Sequence, residues 1–123
     1  MKSLRSQWGV IFVMMGLILC SGTAWGAEWK ELAEATTGIF QYDAASIRTS
    51  PEGFIRVWIY NAIKRETHLV ELNCRGRGYR VLDVTEYDPS GRISGRQDYY
   101  DNPTWLNIPP RSVVESLQKI VCR

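Results

Sequence analysis

Two tetrapeptides dictate most of what this chain can fold into. Ser50-Pro51-Glu52-Gly53 and Asp88-Pro89-Ser90-Gly91 share a hydrogen-bonding side chain first, proline second and glycine fourth. Proline presets φ at the second position of a type I turn, and glycine is preferred at its exit. Gly76-Arg77-Gly78 makes a third break. Short links join the β-prone stretches between these breaks, with no room for a crossover helix. Parallel βαβ units are thereby excluded, and an antiparallel meander remains.

Alternation locates the strands. From Phe54 to Asn61, Ile55, Val57 and Ile59 share one face, while Phe54, Arg56, Trp58 and Tyr60 share the other. Thr67 to Cys74 predicts a second strand with Val70, Leu72 and Cys74 pointing together. Tyr79 to Tyr87 predicts a third, with Leu82 and Val84 on one face and Val81 on the other. Trp29 to Ala33 makes an edge strand, Ile39 to Asp43 with Ser46 to Arg48 a hairpin-like pair, and Arg92 to Arg96 another strand. Gln97 to Pro110 lacks a clear period, but its Tyr99, Tyr100 and Trp105 predict packing across the sheet.

The period changes near the C-terminus. Pro109 and Pro110 block an earlier helix start. Ser112-Val113-Val114-Glu115 then has the form of a capping box, in which Ser and Glu side chains satisfy the first free amides reciprocally. Val113, Val114, Leu117, Ile120 and Val121 fall on the apolar stripe of an amphipathic helix. The expected fold is α+β, an antiparallel meander of about five to six strands with one C-terminal helix packed on a face.

Residues 1–26 have the makeup of a secretory signal peptide. Lys2 and Arg5 form a positive start, Val10 to Leu19 an uncharged apolar run, and Ala24-Trp25-Gly26 a small-residue cleavage site before Ala27. As helix that run spans about 16 Å, against the roughly 30 Å of a bilayer core, which argues against a transmembrane anchor. Cys20 raises lipidation as the alternative, but Leu19 stands where a small residue is wanted. Residues 27–123 then form a single domain in the periplasm or on the outer surface of a bacterial cell. That domain keeps two cysteines, Cys74 and Cys122, and an even count in an oxidising compartment predicts one disulfide tying the helix end to the sheet.

Charge and motifs narrow the function. The leader holds Lys2 and Arg5 of the 15 basic residues and none of the 13 acids, so the remainder is neutral and nucleic acid is a poor partner. No Cys-x-x-Cys, second histidine, Gly-x-Ser-x-Gly or phosphate loop occurs, so neither a metal site nor a bound cofactor is expected. Catalysis would fall to the lone His68, or to a carboxylate pair such as Asp83 with Glu86 or Asp98 with Asp101. Each pair has a simpler role as a solvated strand end or loop.

Two groups suit binding instead. Arg75, Arg77 and Arg80 are the densest positive charge, serving either as a soluble hairpin tip or as a contact for an anionic sugar or acidic protein patch. Arg56, Trp58 and Tyr60 share a strand face that either lies under the helix or a loop, or forms an exposed face of the residue types enriched in binding hot spots.

Trp29, Tyr42-Asp43-Ala44-Ala45-Ser46-Ile47, Trp58, Cys74, Tyr87-Asp88, Trp105, Ile108-Pro109, Ser112 and Cys122 follow one another in a familiar order. From about residue 28 to 123 the chain resembles the surface-adhesin protein E family of small exported bacterial proteins. The resemblance implies an antiparallel sheet with a C-terminal helix held by a Cys74–Cys122 disulfide, and no reaction. It implies binding of host matrix and serum proteins, and a structural role for Tyr42, Asp43, Ser46 and Ile47, a strand followed by an Asx-type turn. No ligand-binding segment of the family has a counterpart to carry over. A surface adhesin is normally lipid-anchored, so Leu19 leaves a soluble periplasmic protein and a surface one on equal footing.

The expected product is therefore an exported binding module contacting a protein or glycan at the envelope, and its rival a periplasmic enzyme or enzyme accessory. Mass spectrometry of the exported protein is expected to find an unlipidated N-terminus at Ala27. A diacylated Cys20 would instead mean a surface-anchored protein.

Overall fold

Turn chemistry and alternation together produce one antiparallel sheet. The computed structural model describes residues 26–123. The leader therefore lies outside the described residues, Gly26 apart. The strands are β1 (Trp29–Ala35), β2 (Gly38–Asp43), β3 (Arg48–Thr49), β4 (Ile55–Asn61), β5 (Glu66–Asn73), β6 (Gly78–Tyr87), β7 (Ile93–Asp98) and β8 (Leu106–Asn107). A single helix, α1 (Val113–Val121), ends the fold. The main path runs β1-β2-β4-β5-β6-β7, each pair antiparallel, which is the expected meander.

The sheet has eight strands because two long strands each take two partners along one edge. Beside β4, β2 pairs with Ile59 to Asn61 and β3 with Ile55 and Arg56. Beside β6, β7 pairs with Asp83 to Tyr87 and β8 with Gly78 and Tyr79. The hairpin expected of Ile39–Asp43 with Ser46–Arg48 is thus corrected, since both segments lie end to end along β4. A short 3-10 turn, Ala44–Ser46, makes the step. Asp43 Oδ1 accepts from the amides of Ala45 at 3.0 Å and Glu28 at 2.7 Å. Ser46 Oγ donates to the Asp43 carbonyl at 2.7 Å and accepts from the Trp58 amide at 3.0 Å. These bonds carry the chain forward along β4 rather than back along β2.

Both Pro-Gly turns close as their sequence dictates, with Gly53 N–H on the Ser50 carbonyl and Gly91 N–H on that of Asp88, each at 2.9 Å. Gly38 is required for a different reason. A Cβ there would stand 2.4 Å from the Asn61 side chain. That amide is committed, accepting from Ile63 and Lys64 and donating to the Thr37 carbonyl.

One departure from alternation matters for function. Val70 stands opposite Val81 and Leu69 opposite Asp83, so Leu82 is the extra residue of a β-bulge. Val81 and Val84 consequently share the helix-side face, opposite Val70 and His68, instead of opposing one another. Asp83 moves to the far face.

The core lies between sheet and helix and contains Tyr42, Val57, Ile59, Val70, Leu72, Ile108 and Leu117. Leu117 is the fully buried residue of the helical stripe, with Val114, Ile120, Val121 and Cys122 packed around it. Ser112 Oγ caps the helix by accepting from the Glu115 amide at 3.1 Å. The reciprocal arm is displaced, because the Glu115 carboxylate accepts from the Arg111 amide, not from Ser112. Arg111 adopts a left-handed φ of 59° immediately before the cap. Among the described residues no helix is long and apolar enough to cross a membrane.

Cys74 and Cys122 are bonded, with Cα atoms 5.5 Å apart and a sequence separation of 48. Closing a loop of that length is worth about 4 kcal/mol in the chain-entropy model. The Cys74→Ser variant is expected to lose about 2 to 5 kcal/mol in urea denaturation. Hydrogen exchange should show the last turn of α1 fraying first, since a helix this short is marginal alone.

Candidate functional site

Cross-strand register divides the sheet into a face under the helix and an open face. Ile55, Val57 and Ile59 pair with Leu72, Val70 and His68 on the helix side. Arg56, Trp58 and Tyr60 pair with Glu71, Leu69 and Thr67 on the other, and Arg80, Asp83 and Thr85 continue that row on β6. Trp58 and Tyr60, two of the candidate residues, are half-buried there and are not covered by the helix.

A buried carboxylate organises this face. Glu71 is 0% exposed. Arg56 Nε donates to its Oε2 at 2.6 Å, and Arg80 Nε donates to its Oε1 at 2.7 Å. The Arg80 guanidinium is itself clamped, 4.2 Å from the Trp105 ring centroid and 5.6 Å from that of Phe54. Those two rings meet edge-on at 4.8 Å. A desolvated carboxylate stays compatible with folding only when its oxygens are this fully paired. The hydrogen bond to Glu71 raises the Arg56 pKa above its ordinary value, outweighing burial.

Asp83 repeats the arrangement one step along. It is also 0% exposed, accepting on one oxygen from Thr85 Oγ1 at 2.9 Å and on the other from Arg96 Nε at 2.9 Å and Arg96 Nη2 at 2.8 Å. The Arg96 side chain is 62% exposed, so its carboxylate lies beneath while its guanidinium faces water. The bond to Asp83 raises the Arg96 pKa. Both acids are thus sealed under the cations that neutralise them.

At the other end of the face a trough of about 410 Å³ is lined by Trp29, Gln41, Tyr60, Thr67 and Tyr87, with Arg65 and Asp88–Pro89 at its rim. Trp29 and Tyr60 form a tilted pair with centroids 5.9 Å apart and planes at 54°.

The arginine cluster of the sequence does not stay together. Arg75 and Arg77 are exposed on the β5–β6 turn, whereas Arg80 points into the open face. Arg77 reaches Glu115 at 3.9 Å, and its φ of 53° sits in a turn held by Asn73 Oδ1 accepting from the Gly76 amide. His68 lies on the helix side, 3.0 Å from Glu66. Asp83 and Glu86 fall on opposite faces, because Asp83 is across from Leu69 and Glu86 across from Glu66. Asp83 is no solvated strand end either, and that expectation is corrected by its burial under Arg96. Asp98 stands across from Asp83, and Asp101 is in the exposed loop beyond. Among the described residues no group of three His, Cys, Asp or Glu side chains is placed to hold a metal ion.

Sequence reasoning missed the Glu71 cluster and the Asp83–Arg96 pair, and missed the trough. The signal for Glu71 was present. A lone acid in the run Leu69-Val70-Glu71-Leu72 needs a cross-strand cation, and strand pairing supplies Arg56 and Arg80. For Asp83 no such signal existed, since the bulge that redirects it has no signature in the residues.

A family model described as surface-adhesin protein E matches residues 29–123. No curated protein and no solved structure matches the chain.

Removing one partner of a buried ion pair is costly, while replacing the whole pair with apolar groups is not. Arg80→Met alone is therefore expected to cost about 3 kcal/mol in urea denaturation. Adding Glu71→Leu should recover most of that loss, because Arg56, with 38% of its side chain exposed, then turns to water.

Proposed function

Because this chain belongs to the surface-adhesin protein E family, we propose that it works as an exported, non-enzymatic binding module. Its partner is a protein or glycan at the bacterial envelope or on a surface the cell meets. The open sheet face is the contact surface.

The observation that carries this reading is the pre-organisation of that face. Arg56, Arg80 and Arg96 are fixed by buried carboxylates, and Trp105 is locked against Arg80 and Phe54. Arginine and aromatic side chains dominate binding hot spots. Holding them still before contact removes much of the ordering cost of association. Tyr100 and Trp105 remain substantially exposed around them. The face supplies cationic forks and rings without a nucleophile activated by a neighbouring base, which suits recognition better than turnover. Arg75 and Arg77, on the exposed β5–β6 turn, lie toward the helix end instead and stand outside this surface.

Solid-phase binding to a panel of matrix and serum proteins tests the reading. Trp58→Ser combined with Tyr100→Ser should weaken the best interaction at least about tenfold, the loss expected of hot-spot aromatics. Ile63→Ser, an exposed residue of the β4–β5 turn, should leave it unchanged. Equal loss from both variants, or none from either, would remove the open face as the contact surface.

A further inference from the structure

The trough at the end of the open face has chemistry of its own. Trp29 and Tyr60 line it with rings tilted at 54° to each other, and Tyr87 adds a third ring to the wall. Gln41 and Thr67 add an amide and a hydroxyl residue to the same lining. A sugar ring offers the matching surfaces, because one side is a patch of polarised C–H groups and its edge is a belt of hydroxyls. The negative face of an aromatic ring attracts the first, and amide and hydroxyl side chains bond the second. At about 410 Å³ the trough falls within the roughly 300–1,000 Å³ of small-ligand sites and suits a short saccharide segment.

The rim charges are not equivalent. One oxygen of the Asp88 carboxylate is engaged by its own turn, Oδ1 accepting from the Ser90 amide at 2.9 Å, the Ser90 hydroxyl at 2.6 Å and the Arg92 amide at 3.0 Å. The Ser90 hydroxyl leads in holding that carboxyl below its ordinary pKa. Arg65 is exposed at a left-handed φ of 55°, and among the described residues no ion pair holds its guanidinium. The trough thus carries a cation without an ion-pair partner, beside a carboxylate that stays charged and has one oxygen turned to its own loop. We propose that it binds a carboxylate-bearing saccharide, with a sugar ring on Trp29 and Tyr60 and the acid group on Arg65. This rests on the open face being the binding face, and it names the ligand chemistry at one end.

The test uses the full chain, expressed with its leader, recovered as the cell exports it and labelled for NMR. The probes are a hyaluronan tetrasaccharide, which carries uronates, and a neutral chitin tetrasaccharide. The uronate probe should shift the Trp29 indole and Thr67 resonances with a Kd of about 1 mM, and the neutral one should bind about tenfold more weakly. Trp29→Ala should abolish both titrations. Arg65→Gln, at an exposed site that leaves the fold intact, should reduce the uronate probe to the level of the neutral one. The proposal is overturned if neither probe shifts trough resonances at about 10 mM, ten times the expected Kd. It is also overturned if both bind equally and Arg65→Gln changes nothing. A silent trough beside intact loss of protein binding in the Trp58/Tyr100 variant would sink the saccharide site alone. Saccharide binding without any effect of that variant on protein partners would sink the broader reading of the face.

Discussion

The ion cluster around Glu71 is the constraint on which the open face depends. A carboxylate with no exposure has given up its hydration, and in a low-dielectric strand interior that loss is several kcal/mol unless it is replaced. The replacement comes from two directions at once, from Arg56 on β4 and Arg80 on β6. β5 is thereby pinned to both neighbours by side chains as well as by its backbone ladder. A register slip of one residue in either pairing would leave Glu71 facing the wrong partners. The cluster specifies alignment more than it adds stability, and it positions Trp105 through Arg80.

Much of the architecture was legible because it rests on local chemistry. Pro-Gly turns fix where the chain reverses, alternation fixes which residues of β4 and β5 face the core, and the stripe from Val113 to Val121 fixes the helix. What was not legible depends on pairing between distant segments. β3 and β8 are two residues each and exist as strands because β4 and β6 leave edge length free. Arg75, Arg77 and Arg80 looked like one cluster because sequence proximity ignores which side of a strand each occupies. Trp29, Tyr60 and Tyr87 come from three strands, so nothing in the linear order marks them as one wall.

The two faces divide the labour of a small domain. The helix side carries the apolar core and the disulfide, so the far side need not be hydrophobic to hold the fold. A sheet open on one side usually alternates apolar and soluble polar residues. Here the outer row is instead charged and aromatic, with Glu71 and Asp83 concealed beneath arginines. In the centre of that row water therefore meets the Arg56 and Arg96 guanidinium groups and aromatic rings, while exposed acids such as Asp98 stand at its edge.

The topology also orders events in time. Every pairing along the main path except β2–β4, which β3 separates, joins neighbours in sequence, and such hairpins close quickly because little chain must be immobilised. The docking of α1 is different, for it brings the last element against β1, the first. That closure spans nearly the whole domain and carries the largest entropic cost of any in the fold. The Cys74–Cys122 bond ties the end of α1 to the sheet across that same closure. The oxidised bond thus acts as a latch on the contact that costs the chain most entropy to make, holding the last element of the fold against the first.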